Sequence, residues 1–241
     1  MYGMYGYGYG YGFDPTIILV LIGVALSLWA QGRVNSTFSR YSRVRSMTGM
    51  TGAEAARRLL NAQGIYDVTV QPIAGELTDH YDPRTKTVNL SQSVYGATSV
   101  AAIGVAAHEC GHAMQDNEGY APLRFRSALV PAANFGSKLS WPLILLGLVF
   151  GGLGSPLVEI GILMFSLAVL FQLVTLPVEY NASARAVRLL DSQGILAGEE
   201  VSGTRKVLNA AALTYVAAAA TSILQLLRLI ILFGGRNRRD R

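Results

Sequence analysis

Cysteine, histidine and charge are all scarce in this chain of 241 residues. The single cysteine, Cys110, excludes an intramolecular disulfide and any multi-cysteine metal cluster. Charged residues make up 15% of the chain, against about a quarter in soluble domains. Hydrophobic residues make up 51%, and the mean hydropathy is +0.34. That balance belongs to a membrane protein. The net charge of +5 comes from 20 Lys and Arg against 15 Asp and Glu. Basic residues gather after the first apolar run, as Arg33, Arg40, Arg43 and Arg45, and again in the tail "GGRNRRDR". No nucleic-acid recognition motif accompanies them, so nucleic acid is not an expected partner. Basic residues flanking apolar spans set orientation and meet anionic lipid head groups.

Hydropathy and punctuation divide the chain into seven stretches. Residues 1–15 are a Tyr/Gly-rich tail, "MYGMYGYGYGYGFDP", expected to be disordered. Its start lacks the basic residues of a secretory signal, so cleavage is not expected. Residues 16–30, "TIILVLIGVALSLWA", read as a membrane anchor. Residues 31–138 are polar and patterned. In them "TGAEAARRLLNAQG" marks a helix with Thr51 as N-cap, Glu54 completing a capping box and Gly64 as stop. "YDVTVQPIAGELTDHYDPRTKTVNLS" then predicts two or three short strands, with a hairpin near Asp82 and Pro83. Residues 139–177 are two apolar runs split by "GGLGSP", a membrane hairpin. Residues 178–210 are polar again, 211–233 form a fourth apolar run in which Arg228 must snorkel, and 234–241 are the basic tail. The helix-stop pattern "ARRLLNAQGI" returns as "AVRLLDSQGI" at 186–195, read as convergent helix-stop chemistry rather than a repeat.

Two of the three histidines lie in one stretch, "VAAHECGHAMQ", on a helix opened by Ser99 and running to about Asn117. Residues four apart share a helix face, so His108 and His112 can present two imidazoles to one zinc ion. Glu109, about 100° around the axis, is offset from that point. It is suited to take a proton from an attacking water and hand it to a leaving amine. The competing reading is a pair of hydrogen-bonded helix histidines with no metal. A zinc site of this type needs a third protein ligand. Cys110 points to another side of the helix, and His80 in the hairpin is one candidate. Glu179 in "LPVEYNASARA", which follows a membrane span and is expected to open a polar helix, is the better candidate, though it also reads as an ordinary interfacial acid. An intramembrane site is disfavoured, because the apolar lead-in to His108 is about ten residues and "QDNEGY" follows at once, too short and polar to span.

"AAHECGHAMQ", "LTDHYDPRTKTVNLS" and "LPVEYNASARAVRLL", in that order, resemble the YugP-like neutral zinc metallopeptidases of bacterial membranes. The likeness runs from about residue 35 to 225, and HtpX-type membrane gluzincins are more distantly similar. The resemblance implies an α-helical membrane protein with about four membrane helices and a small α+β gluzincin-like zinc metallopeptidase domain. It implies one zinc per chain held by His108, His112 and Glu179, with Glu109 as general base. It also implies that the hairpin before the catalytic helix is the edge strand that substrate pairs with, where His80 could bond substrate. Arg185 lies in the same "NASARA" motif and is a further expected site residue, as a donor to substrate, a clamp on a carboxylate or a charge near lipid phosphates. In HtpX-type proteins an aspartate stands four residues after the ligand glutamate; here it is Ser183, a hydroxyl without charge.

The expected activity is hydrolysis of peptide bonds in peptide or protein substrates, membrane proteins among them, by a multi-pass protein of the cell membrane. The alternative is a catalytically silent zinc-binding scaffold or chaperone. The first 15 residues hold no Lys or Arg and residues 31–140 hold 11, which predicts a catalytic region facing the cytoplasm. The basic tail conflicts with that rule if the fourth run crosses.

Overall fold

The computed structural model describes residues 14–152 and 155–233. The Tyr/Gly stretch through residue 13 and the basic tail 234–241 lie outside them. Helix α1 (Ile17–Ser42) is followed by α2 (Gly52–Ala62), strands β1 (Thr69–Ile73), β2 (His80–Asp82) and β3 (Thr87–Ser91), and a single turn α3 (Gln92–Tyr95). Then come α4 (Val100–Asn117), α5 (Ala121–Gly151), α6 (Pro156–Ser192) and α7 (Glu199–Phe233).

Local signals account for the small elements. The Thr51 hydroxyl accepts from the Glu54 N–H while the Glu54 carboxylate accepts from the Thr51 N–H, a complete capping box. Ser99 caps α4 by accepting from the Ala102 N–H at 3.2 Å. Asp82 accepts from the Arg84 N–H at 2.9 Å and so turns the chain between β2 and β3. The sheet order is β1-β3-β2, with β1 parallel and β2 antiparallel to β3. β3 is buried along its length, whereas β2 is an edge strand paired on one side. The echoed motif ends two helices in the same way: Ile65 N–H returns to the Leu60 carbonyl and Ile195 N–H to that of Leu190, with Gly64 and Gly194 at positive φ. The two ends also meet, since Arg58 donates to the Gln193 carbonyl at 2.9 Å.

Among the described residues four helices, α1, α5, α6 and α7, are long and apolar enough to cross a membrane, at 26, 31, 37 and 35 residues. They expose large apolar side chains outward, among them Leu28, Phe150, Leu163 and Ile231. Small residues let them approach closely. A Cβ on Gly136 would sit 2.5 Å from the Met164 carbonyl oxygen, and one on Gly161 would meet Ser140 and Ile144. Along α1 and α7, Thr221 donates to the Gly23 carbonyl at 3.1 Å. Arg228 does not only snorkel: it reaches Asp14 at 3.0 Å and Thr16 at 3.2 Å, so the start of α1 and the end of α7 are tied at one level.

The helices run well past the apolar runs seen in sequence. Glu179 was expected to open a polar helix after Pro177; instead α6 continues through Pro177 to Ser192. Proline removes one backbone bond without breaking a helix whose neighbours hold it straight. At 1.5 Å per residue α6 is roughly 55 Å long, against about 30 Å of hydrocarbon. Its far end therefore stands beyond the apolar zone, packed against α4.

Candidate metal centre

Helices α4 and α6 touch backbone to backbone where Gly111 meets Ala182: a Cβ on Gly111 would lie 2.6 Å from the Ala182 carbonyl oxygen. That contact sets the distance between the histidine helix and Glu179. His108 Nε2 lies 3.2 Å and His112 Nε2 3.5 Å from Glu179 Oε2. All three donor atoms fall within 4.8 Å of one another. Donors held at 2.0–2.2 Å around a tetrahedral zinc stand roughly 3.3–3.6 Å apart, a spacing close to both His–Glu179 distances.

Hydrogen bonds hold each ring in the orientation a metal needs. Gln115 donates its amide N–H groups to the Val178 carbonyl at 2.8 Å and to Asn181 Oδ1 at 2.9 Å. Its oxygen is thereby turned to His112 Nδ1, 3.0 Å away. Nδ1–H donates there, so Nε2 is the nitrogen turned to Glu179 and the one a metal would take. His108 Nδ1 lies 3.1 Å from Ser183 Oγ, so the serine that replaces an expected aspartate does contact the ring. The support of His112 extends further. Arg185 donates to Asn181 Oδ1 at 2.7 Å and to Glu118 Oε1 at 2.6 Å, with its guanidinium over the Tyr120 ring. Glu179 uses its second oxygen to accept from Arg126 at 3.0 Å. Burial pulls the His112 imidazole toward neutrality, but the adjacent Glu179 and Glu109 carboxylates outweigh it and hold its pKa above the ordinary value. The pocket therefore favours positive charge.

Glu109 stands outside the donor cluster, at the junction of two cavities that both include Glu179 and Tyr215. One, of about 250 Å³, is largely apolar and opens toward Val34, Val105, Leu208 and Ala212. The other, of about 150 Å³, is polar and bounded by His80, Tyr81, Arg126 and Ser127. The structure thus brings together His108, His112 and Glu179, with Glu109 beside them. His80 is on the rim, exposed, its ring bonded to the Thr78 carbonyl at 2.9 Å and facing the Asn89 amide at 3.2 Å. Arg185 is on neither cavity wall. Cys110 is buried away from the cluster, its thiol toward the Ala56 carbonyl, and burial pushes its pKa up.

Sequence reasoning missed Arg126, Tyr215 and the Gln115–Asn181 pair. The last had a local signal, since Gln115 is three residues from His112 and Asn181 four from Arg185 on their helices. Arg126 and Tyr215 had none, because long-range helix packing delivers them.

A family model described as "Putative neutral zinc metallopeptidase" matches residues 16–234. The chain is 49% identical over 217 residues to "Putative membrane protease YugP" of Bacillus subtilis (strain 168), covering 90% of this chain and 96% of that protein. No solved structure matches it. With two imidazoles and a carboxylate converging at zinc spacing and a family model spanning nearly the whole chain, the protein belongs to the neutral zinc metallopeptidase family.

Proposed function

We propose that the chain is a membrane-bound zinc endopeptidase that hydrolyses peptide bonds at the cytoplasmic membrane surface. The observation that carries this reading is the convergence of His108 Nε2, His112 Nε2 and Glu179 Oε2, with both rings fixed from behind. The family and the membrane-protease name of the Bacillus relative support it. One zinc per chain, held by these three residues, would supply a Lewis acid that lowers the pKa of water to roughly 7 and polarises the scissile carbonyl.

The chain's own residues do the rest. Glu109 takes the proton of the attacking water as its oxygen bonds to the carbonyl carbon. It then delivers that proton to the amine nitrogen as the C–N bond breaks, and the remaining hydroxyl proton passes from the new carboxylic acid to the amine, leaving a carboxylate and an ammonium. Tyr215, on the wall of the polar cavity, is the candidate to donate to the carbonyl oxygen as it gains charge. His80, whose ring nitrogens are engaged by Thr78 and Asn89, would turn from them to bond substrate. The free side of β2 suits main-chain pairing with an extended peptide. Arg185 is a positioning residue, acting on His112 through Asn181 and Gln115. The catalytic part would come from 31–138 and 178–210, carried by the anchor, the 139–177 hairpin and the fourth run. Since all four long helices contribute to the walls of the two cavities, membrane proteins are natural substrates beside peptides.

A silent zinc scaffold is the reading to exclude. Purified protein should contain one zinc and cleave casein, and Glu109→Gln should keep the zinc and lose the cleavage. Equal cleavage by both proteins, or none by either, sinks the enzymatic reading.

A further inference from the structure

Between α1, α6 and α7 lies a cavity of about 700 Å³, separate from the two that meet Glu109. Its size is in the range of small-molecule sites, about 300–1,000 Å³. Arg33, Ser36 and Arg40 enter it from α1, Lys206 and Asn209 from α7, and Tyr180 from α6. No carboxylate lines it, and none of the three cations has an acidic partner among the described residues. Arg40 instead lies over the Tyr41 ring at 5.6 Å. The polar groups facing the cavity are ammonium and guanidinium donors, hydroxyls and one amide, above an apolar floor of Ala210 and Leu213. Such a set recognises an oxyanion with several acceptor oxygens attached to something apolar.

Depth along the helices says where that oxyanion sits. The apolar run of α1 ends at Ala30, so Arg33 is about 4.5 Å further along the axis. Lys206 precedes the apolar run of α7 by five residues, about 7.5 Å. The head-group layer adds roughly 5–7 Å to each face of the hydrocarbon core. Arg33 and Lys206, from two antiparallel spans, therefore meet at head-group depth, with the base of the Arg40 side chain about 10 Å further out along α1. The cavity continues into the apolar zone at Leu213.

We propose that this cavity binds the phosphate of an anionic phospholipid, with its acyl chains lying along α1 and α7. The site clamps the anchor helix to the helix that carries Tyr215 into the active site.

The test uses the full-length protein in detergent, titrated with phosphatidylglycerol or phosphatidylcholine and read by native mass spectrometry. Phosphatidylglycerol should bind more tightly by on the order of 100-fold, the worth of three surface bases facing an anionic lipid. The triple variant R33Q/R40Q/K206Q should lose that preference, while R84Q, whose arginine lies in the hairpin turn, should keep it. The comparison of the two lipids on the unaltered protein does not depend on any variant folding. Equal binding of the two lipids, or equal loss in R84Q and the triple variant, overturns the proposal. So does displacement of the lipid by inorganic phosphate at matching concentration, which would make the cavity a free-phosphate site.

Discussion

Helices α4 and α6, which carry His108, His112 and Glu179, and the hairpin that carries His80 bound the same polar cavity, yet they are held in different ways. The helix side is buried: Glu109 and His112 are 8% exposed and Glu179 is 4%. It is set by backbone contact at Gly111 and by two ring-orienting hydrogen bonds. The hairpin side is a three-residue edge strand, exposed at His80 and half-buried at Tyr81 and Asp82. It is pinned at points, through Tyr81 and Lys86 on Asp116 at 2.9 and 2.7 Å and Asp79 on the Ser91 N–H at 2.7 Å. A metal site needs donors fixed before the ion arrives. An edge strand that takes up a peptide gains from few restraints. On the proposed reading the labour divides accordingly: helices for metal and water, hairpin for substrate.

The largest effect that would sharpen the comparison is Glu109→Gln. The amide can hold water but cannot accept its proton, so hydrolysis should fall by about 10²–10⁴ with zinc content unchanged. Next comes Gly111→Val, which forces α4 from α6 at Ala182. Zinc affinity should drop together with the thermal midpoint, at a cost of about 1–3 kcal/mol. Unchanged zinc affinity in that variant would detach the metal site from the helix contact. Arg185→Lys should weaken zinc by roughly tenfold, because an ammonium cannot hold Asn181 and Glu118 together as the guanidinium fork does. Were the loss in kcat alone, with zinc binding at the parental level, the relay through Gln115 would be refuted. The smallest effect belongs to the hairpin: Lys86→Met should raise KM about two- to fivefold, the worth of a partly exposed ion pair, and spare both zinc and kcat.

Much of this arrangement is legible in the chain. Thr51 and Ser99 announce their helices by capping chemistry, and the four apolar runs correspond to four long helices. The His108–His112 spacing is a local property of one helix, so sequence suffices for it. Glu179 is a candidate from its place after a membrane span, but only the family resemblance separates it from an interfacial acid. The sequence hides the continuity of α6 through Pro177, since proline usually signals a stop while packing against α4 and α5 decides otherwise. It also hides which residues stand behind the ligands. Arg126, 53 positions from Glu179, reaches it only because α5 folds back along α6. Ser183 reads as a lost aspartate, yet its hydroxyl sits at hydrogen-bond distance from His108.

The division between a helix side that binds metal and a hairpin side that binds substrate is tested most directly by zinc counts in two variants. Glu179→Ala and His80→Ala proteins, purified alongside the parent, would be assayed for zinc per chain after dialysis against a weak chelator. The account predicts loss of most zinc from Glu179→Ala and one zinc per chain in His80→Ala, whose peptide hydrolysis is nevertheless lowered. Zinc lost from His80→Ala and kept by Glu179→Ala would contradict it, and would move the third ligand from the helix to the hairpin.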